Sequence, residues 1–332
     1  MKHLKTIFGK LSLIALVLTT LILLMLTLTS CSLNDSDYSA LITPPSAQQF
    51  AGIRGQSLEN ITQHFEFDAD DGFITLTTDN GVDIYIDANC LSKNGNAVTG
   101  TVALEYVEIF KKGNMITTNK PTMGIMANGD KAMLVTGGEF YFEASQDGVA
   151  LETNCPMRIK VPTSLTGGDD PEMIMWQGII DENGDLAWEE ETDIEGEAGV
   201  FLQGENYYAF VQNFGWTNID RFFSDPRPKT TIKVQPPIGY TYENSAVYLS
   251  YDGEDSGLAI LDTFDNGLFS EHYGQIPIGL ECHIVFVTED NGQWRYAIKA
   301  VTIAQNQITS FIIEESTIAT EAELISIVNN LP

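Results

Sequence analysis

The chain predicts an all-β fold: two β-sandwich domains in tandem, followed by a short C-terminal helix. Three observations carry this. Asn/Asp-Gly pairs recur nine times, from Asp71-Gly72 through Asn94-Gly95, Asp147-Gly148 and Asn183-Gly184 to Asn266-Gly267 and Asn291-Gly292. Such pairs tolerate the positive φ that tight hairpin turns require. Between them lie short stretches with a period of two, such as Met157-Arg158-Ile159-Lys160-Val161 and Glu139-Phe140-Tyr141-Phe142-Glu143. Alternation of this kind buries one face of a sheet and wets the other. Helical periodicity, the third observation, is scarce. Many short strands with regular turns favour sandwiches over a parallel α/β sheet.

The elements follow in order. Residues 1–30 begin with Lys2, Lys5 and Lys10, continue through an apolar run over residues 11–28, and end in Thr29-Ser30 before Cys31. A basic start, an apolar core and small residues at a cleavage point are the parts of a secretory signal. A cysteine at that point is the pattern of a bacterial lipoprotein. A spanning helix needs ~20 apolar residues; this run contains Ser12, Thr19, Thr20 and Thr27, and nothing basic follows it to stop transfer. Cys31 is therefore the expected lipidation site, with diacylglycerol on its thiol and an acyl group on its new amine. Two or more chains give stable anchoring. Residues 31–55, rich in Ser, Asp, Gln and Pro, are expected to be a flexible tether.

Residues 56–223 read as the first sandwich. Ser224-Asp225-Pro226-Arg227-Pro228 reads as a junction, because two prolines fix φ and hold their neighbours extended. Residues 229–316 read as a second, smaller sandwich. In 317–332, Thr320 and Glu323 make a capping-box pattern ahead of a Leu324, Ile327, Val328 stripe, which predicts a helix.

Length and composition set outer limits. The 332 residues are 43% hydrophobic, enough for two domains with real cores. Formal charge is −29, and removing a leader with three lysines and no acid takes it to −32. That field repels phosphate backbones, so nucleic acid is not an expected partner.

Three cysteines follow Cys31: Cys90, Cys155 and Cys282. Outside the cytoplasm, an odd number means one pair and a leftover thiol, or three buried thiols. Cys90 and Cys155 share a domain and are the pair that could bridge. Ordinary core positions favour buried thiols. No two cysteines are close enough for a local zinc knuckle.

No catalytic motif stands out. His64, His272 and His283 lie in no metal-binding helix pattern, and no nucleophile elbow exists. Glu105 and Glu108, three apart on a strand, face opposite sides. Glu189-Glu190-Glu191 reads as a solvated hairpin end. Asp68, Asp70, Asp71 and Gly72 suggest calcium chemistry, but position 12 of the loop lacks its glutamate, so an acidic turn is the expectation. Trp176, Trp188, Trp216 and Trp294 are expected in the core or at the domain junction, with exposed sugar-stacking faces as the other reading. No cofactor, metal or catalytic residue is expected.

The strings Gly81-Val82-Asp83-Ile84-Tyr85-Ile86-Asp87-Ala88-Asn89-Cys90-Leu91, Asn94-Gly95-Asn96-Ala97-Val98-Thr99-Gly100-Thr101-Val102 and Gly137-Gly138-Glu139-Phe140-Tyr141-Phe142 resemble uncharacterised cell-envelope lipoproteins of Bacteroidetes. Their pattern is also distantly similar to the β-sandwich of ankyrins and netrin receptors. Asp87 and Cys90 depart from it, standing where proline and alanine are common. The resemblance covers residues 70–165 and implies no catalytic residues. Asp35 and Asp37 loosely resemble the export signal of surface lipoproteins in such bacteria. Residues 228–314 resemble, in pattern, small sandwiches of the carboxypeptidase-regulatory or transthyretin kind.

The functional expectation is a non-enzymatic lipoprotein of the cell envelope, anchored in the outer membrane and facing the periplasm or the exterior. Membrane lipid is the partner through Cys31, and an envelope protein or a glycan is the partner of the folded part. The alternative is a surface glycan-binding protein for polysaccharide uptake; a hydrolase is a further reading.

Overall fold

Four of the Asn/Asp-Gly pairs adopt positive φ at both positions: Asn94-Gly95, Asp147-Gly148, Asn266-Gly267 and Asn291-Gly292. Each joins two antiparallel strands, as the pairing of Glu281–Asp290 with Gln293–Thr302 across Asn291-Gly292 shows. The computed structural model describes residues 42–180, 185–192 and 199–332. The leader, Cys31 and the Asn183-Gly184 turn lie outside these residues. Among the described residues, no helix is long and apolar enough to cross a membrane.

The chain is all-β, and its described residues include three α-helices: α1 (Ala47–Ile61), α2 (Lys112–Thr118) and α3 (Glu321–Asn329). The longest sheet runs, in spatial order, through Gln63–Asp68, Thr101–Ile109, Lys131–Gln146, Gly215–Phe222, Ile174–Ile180, Leu186–Glu190 and Met123–Ile125. A five-stranded sheet that includes Asp83–Asp87 and Met157–Pro162 covers one of its faces. The shared core there contains Ile84, Ile159, Tyr106, Phe140 and Phe142.

Two further sheets, of four and five strands, come from residues after Pro228, and no described strand pairs across that point. The hydrophobic core does cross it. Val107, Leu134, Trp176 and Trp188 of the first part pack in one cluster with Val247, Leu249, Phe286 and Trp294 of the second. The long sheet is thus buried on both faces over part of its length. The Thr101–Ile109 strand shows the transition: burial alternates up to Tyr106, then Val107, Glu108 and Ile109 are buried without a break. Pro44–Pro332 accordingly form one compact unit.

The contact between the two parts is close. Thr122 N donates to Leu258 O (3.1 Å), Leu258 N to Thr122 Oγ1 (2.8 Å), and Thr136 N to Ser256 O (2.9 Å). A Cβ on Gly257 would stand 2.8 Å from Leu134 O, and one on Gly113 2.7 Å from Ile325 O. Lys112, fully buried, directs its ammonium at Glu254 O and Leu331 O. Burial pushes its pKa down, against the nearby acids Asp255, Asp252 and Glu254.

Two expectations are corrected. The tether does not extend to residue 55. Ser46 and Gln49 form a capping box, and α1 follows from Ala47 with Phe50 1% exposed in the shared core. The Ser-, Asp- and Pro-rich stretch that suggested a tether ends at Ser46, and only Gln48 and Gln49 of that composition fall within the helix. In the last segment, Thr317–Ala319 is a strand on Gln293–Thr302, so the helix occupies only Glu321–Asn329. The predicted Thr320 and Glu323 box is present, and Leu324 and Val328 are fully buried.

Candidate functional site

The structure bridges Cys90 and Cys155, with Cα atoms 5.7 Å apart, and leaves Cys282 as a buried thiol. Three buried thiols, the arrangement that core positions favoured, is therefore not what the structure has. Both bridged residues lie at the ends of short paired strands, Leu91–Lys93 and Glu152–Thr153, where Asn154 N also donates to Cys90 O. Asp87 stands beside the two sulfurs. The sulfurs are bonded to each other and so are not available as thiolate ligands to a metal.

The histidines do not form a relay. His64 is exposed, 3.9 Å from Glu59. His283 Nδ1 meets Asp252 Oδ1 at 2.8 Å, the satisfied imidazole expected of a strand position. His272 Nδ1 meets the Thr263 hydroxyl at 2.8 Å and Asp262 Oδ1 at 3.9 Å. A nucleophilic relay needs hydroxyl and carboxylate on opposite ring nitrogens; here both approach the same one.

The acids divide by surroundings. Glu105 is exposed and Glu108 buried, on opposite faces. Glu108 accepts from Gln63 Nε2, Thr78 Oγ1, Tyr106 Oη and both nitrogens of Asn80, which ties the Asn80-Gly81 turn to the sheet. Asp68 caps a short 3-10 turn by accepting from Asp70 N at 3.0 Å. The tryptophans offer no open ring: Trp176 and Trp188 are 0% exposed, Trp294 1% and Trp216 9%. The indole N–H of Trp176 donates to Asp220 O and that of Trp188 to Pro121 O.

Among the buried carboxyls that sequence reasoning missed are Glu139 and Asp220. Glu139 reads as the wet end of an alternating strand, yet it is fully buried, with Asp220 and Lys120 as its charged neighbours. Neither of its carboxyl oxygens has a hydrogen-bond partner. Burial, then the neighbouring Asp220, hold its pKa well above the carboxylate range, with Lys120 acting in opposition. Asp220 accepts from Asn218 Nδ2, and burial raises its pKa as well.

A cleft of about 1020 Å³ includes the Glu189-Glu190-Glu191 segment. On Ile174–Ile180, Trp176 points into the core, so Gln177 points out, directly across from Glu189. Glu191 N continues the ladder by donating to Met175 O. Burial raises the Glu191 carboxyl pKa. Gln212 and Asn213 follow the Asn206–Val211 strand into the same space. Asn154 and Cys155 line the cleft as well, and the disulfide fixes them. No cation is among the described residues that line it. Amides that both donate and accept, set beside carboxylates that accept, suit hydroxyl-rich or cationic groups and repel anions. Sequence gave no signal for Gln177, Gln212 and Asn213, since a polar residue on the outer face of a strand looks the same whether it lines a cleft or not.

No protein-family model matches the chain, and no curated protein matches it significantly.

Proposed function

We propose that this chain is a lipid-anchored cell-envelope protein whose sandwich body is a non-enzymatic binding and display module. The leader and Cys31 carry the reading: a basic start, an apolar core and Thr29-Ser30 ahead of a cysteine. The folded body supports it. It begins at Pro44, so twelve residues separate Cys31 from it. Fully extended, that length reaches at most about 40 Å, enough to hold the body clear of a membrane surface. The cleft beside the disulfide is the binding face, lined by the strand residues Gln177, Glu189 and Glu190 and by residues between strands such as Asn154 and Asn213.

A glycan ligand is the second reading, favoured by the amide and carboxylate lining of the cleft. Burial of all four tryptophans counts against the stacking form of that reading, so a glycan would be held through its hydroxyls.

Intact-mass analysis of native material tests the anchor. The expected species starts at Cys31 and carries acyl chains, and a Cys31→Ala variant loses them. A full-length unlipidated polypeptide, residues 1–30 still attached, overturns the reading. For the cleft, a pull-down from envelope extracts and a glycan array are run with wild type and Gln177→Arg. Loss of a bound partner in the variant supports the cleft, and unchanged binding removes it.

A further inference from the structure

A second cavity, of about 530 Å³, opens between α1 and the turn that follows α2. Acids outnumber Lys and Arg by 46 to 17. Among the described cations, Lys93, Lys131, Lys160, Arg221, Arg227, Arg295 and Lys299 each pair with a carboxylate, whereas Lys111, Lys112, Arg158, Lys229 and Lys233 do not. Arg54 and Lys120, which line the cavity together, do not form an ion pair among the described residues.

Both cations are held in place without being neutralised. The Arg54 guanidinium lies 3.9 Å above the Phe50 ring and donates from Nη2 to Tyr248 Oη at 3.3 Å. Its Nε–H is buried and has no acceptor. Tyr248 in turn donates to Asn119 Oδ1 at 2.6 Å, which fixes the residue next to Lys120. The Lys120 ammonium faces the Trp216 ring and has a single long contact, to Thr118 O at 3.5 Å. Burial lowers its pKa, with Glu139 and Asp185 opposing and Arg54 reinforcing. Both side chains are half-buried, and two cations on one cavity wall with no ion pair among the described residues, one of them with an unmet Nε–H, point to an occupant that supplies a carboxylate.

The rest of the lining narrows that occupant. Ala47, Phe50, Ala51 and Leu58 form an apolar side. Asp185 also lines the cavity, where it accepts from Tyr242 Oη and Asn119 Nδ2, and Glu243 is an exposed acid at its border. These two acids disfavour a polyanion. A single carboxylate on an apolar body satisfies both sides, since guanidinium and carboxylate match in shape and hydrogen-bond pattern.

We propose that this cavity binds a small organic monoanion, its carboxylate held between Arg54 and Lys120 and its apolar body against α1. The site is separate from the cleft beside the disulfide, and it does not depend on the anchor at Cys31.

The probe is benzoate, with benzamide as its neutral isostere and inorganic phosphate as a bare anion, measured by ligand-observed NMR on the full mature protein. Benzoate is expected to bind, at least tenfold tighter than benzamide and tighter than phosphate. Arg54→Met and Lys120→Met are each expected to weaken benzoate at least tenfold, with Arg54→Lys falling between wild type and Arg54→Met because it keeps the charge but not the planar fork. An unchanged unfolding midpoint in Lys120→Met separates loss of the site from loss of the fold. No benzoate binding at 10 mM, equal binding of benzamide, phosphate binding as tight as benzoate, or full affinity in both Met variants each overturns the proposal.

Discussion

Reducing the Cys90–Cys155 bridge should lower stability through the unfolded chain more than through the folded one. The bridge closes a separation of 65 residues. In the chain-entropy treatment, a loop of that length costs the denatured ensemble about 4 kcal/mol at 25 °C. The folded state has other ties at the same place: Glu152 and Thr153 pair with Ser92 and Leu91, and Asn154 donates twice to Cys90 O. Those contacts persist without the bond, so the native geometry survives reduction and the entropy loss is felt almost undiluted. Residual structure in the reduced denatured chain makes 4 kcal/mol a ceiling, and roughly 2–4 kcal/mol is the expected loss. The assay is urea unfolding of oxidised protein, reduced protein and a Cys90→Ala/Cys155→Ala variant, followed by fluorescence. The reduced and variant forms should share a lower midpoint and a steeper denaturant dependence, because their unfolded chains expose more surface. Thiol titration of the denatured, unreduced protein should find Cys282 alone, the Cys31 sulfur being blocked by its proposed lipid. Coincident unfolding curves, or three reactive thiols beyond Cys31, would refute the reasoning.

Phe50→Ala should cost about 3–5 kcal/mol, because the ring is 1% exposed and meets Trp294 edge-on; calorimetry that finds the variant as stable as wild type would return residue 50 to a tether. Glu271 should make stability depend on pH: burial pushes its pKa up to about 7 from 4.5, although Gly274 N and Gln275 N donate to it. The folded state then holds the proton more tightly than the unfolded one. Stability is fully present below about pH 4.5 and falls through about pH 7, by about 3 kcal/mol. Glu271→Gln should flatten that part of the pH profile, and a profile identical to wild type would dismiss the assignment. Gly178→Ala should destabilise the protein by about 1–3 kcal/mol, since the added Cβ would stand 2.4 Å from Trp216 Cβ; a thermal midpoint unchanged in the variant would show that the strand can move aside.

Local patterns proved legible where the physics is local. Asn94-Gly95 and Asn291-Gly292 need only their own backbone freedom to turn a hairpin. Thr320 and Glu323 need only each other to start α3. In Met157–Pro162, alternation matched burial because one face of that strand is open. Legibility failed where burial comes from distant chain. Glu139 looks like the polar end of a strand until folding buries it beside Asp220 and Lys120. Ser46 and Gln49 carried a capping signal before α1 that the Ser, Pro and Gln content of its surroundings masked. Arg54 and Lys120 are 66 positions apart in sequence, and only folding places them on one cavity. The Cys90–Cys155 bridge likewise depends on strand pairing that no spacing rule contains.

The interior common to both parts of the chain also governs what cleavage can do. The link at residues 224–228 is the natural place for a protease to cut, with Pro226, Arg227 and Pro228 open to solvent. Yet severing it would free neither piece, since Trp176 and Trp188 would remain interleaved with Val247 and Phe286. A nicked molecule would elute as the whole one until denaturant parted the fragments, and neither half could be swapped between proteins as a cassette without leaving an oily wall behind.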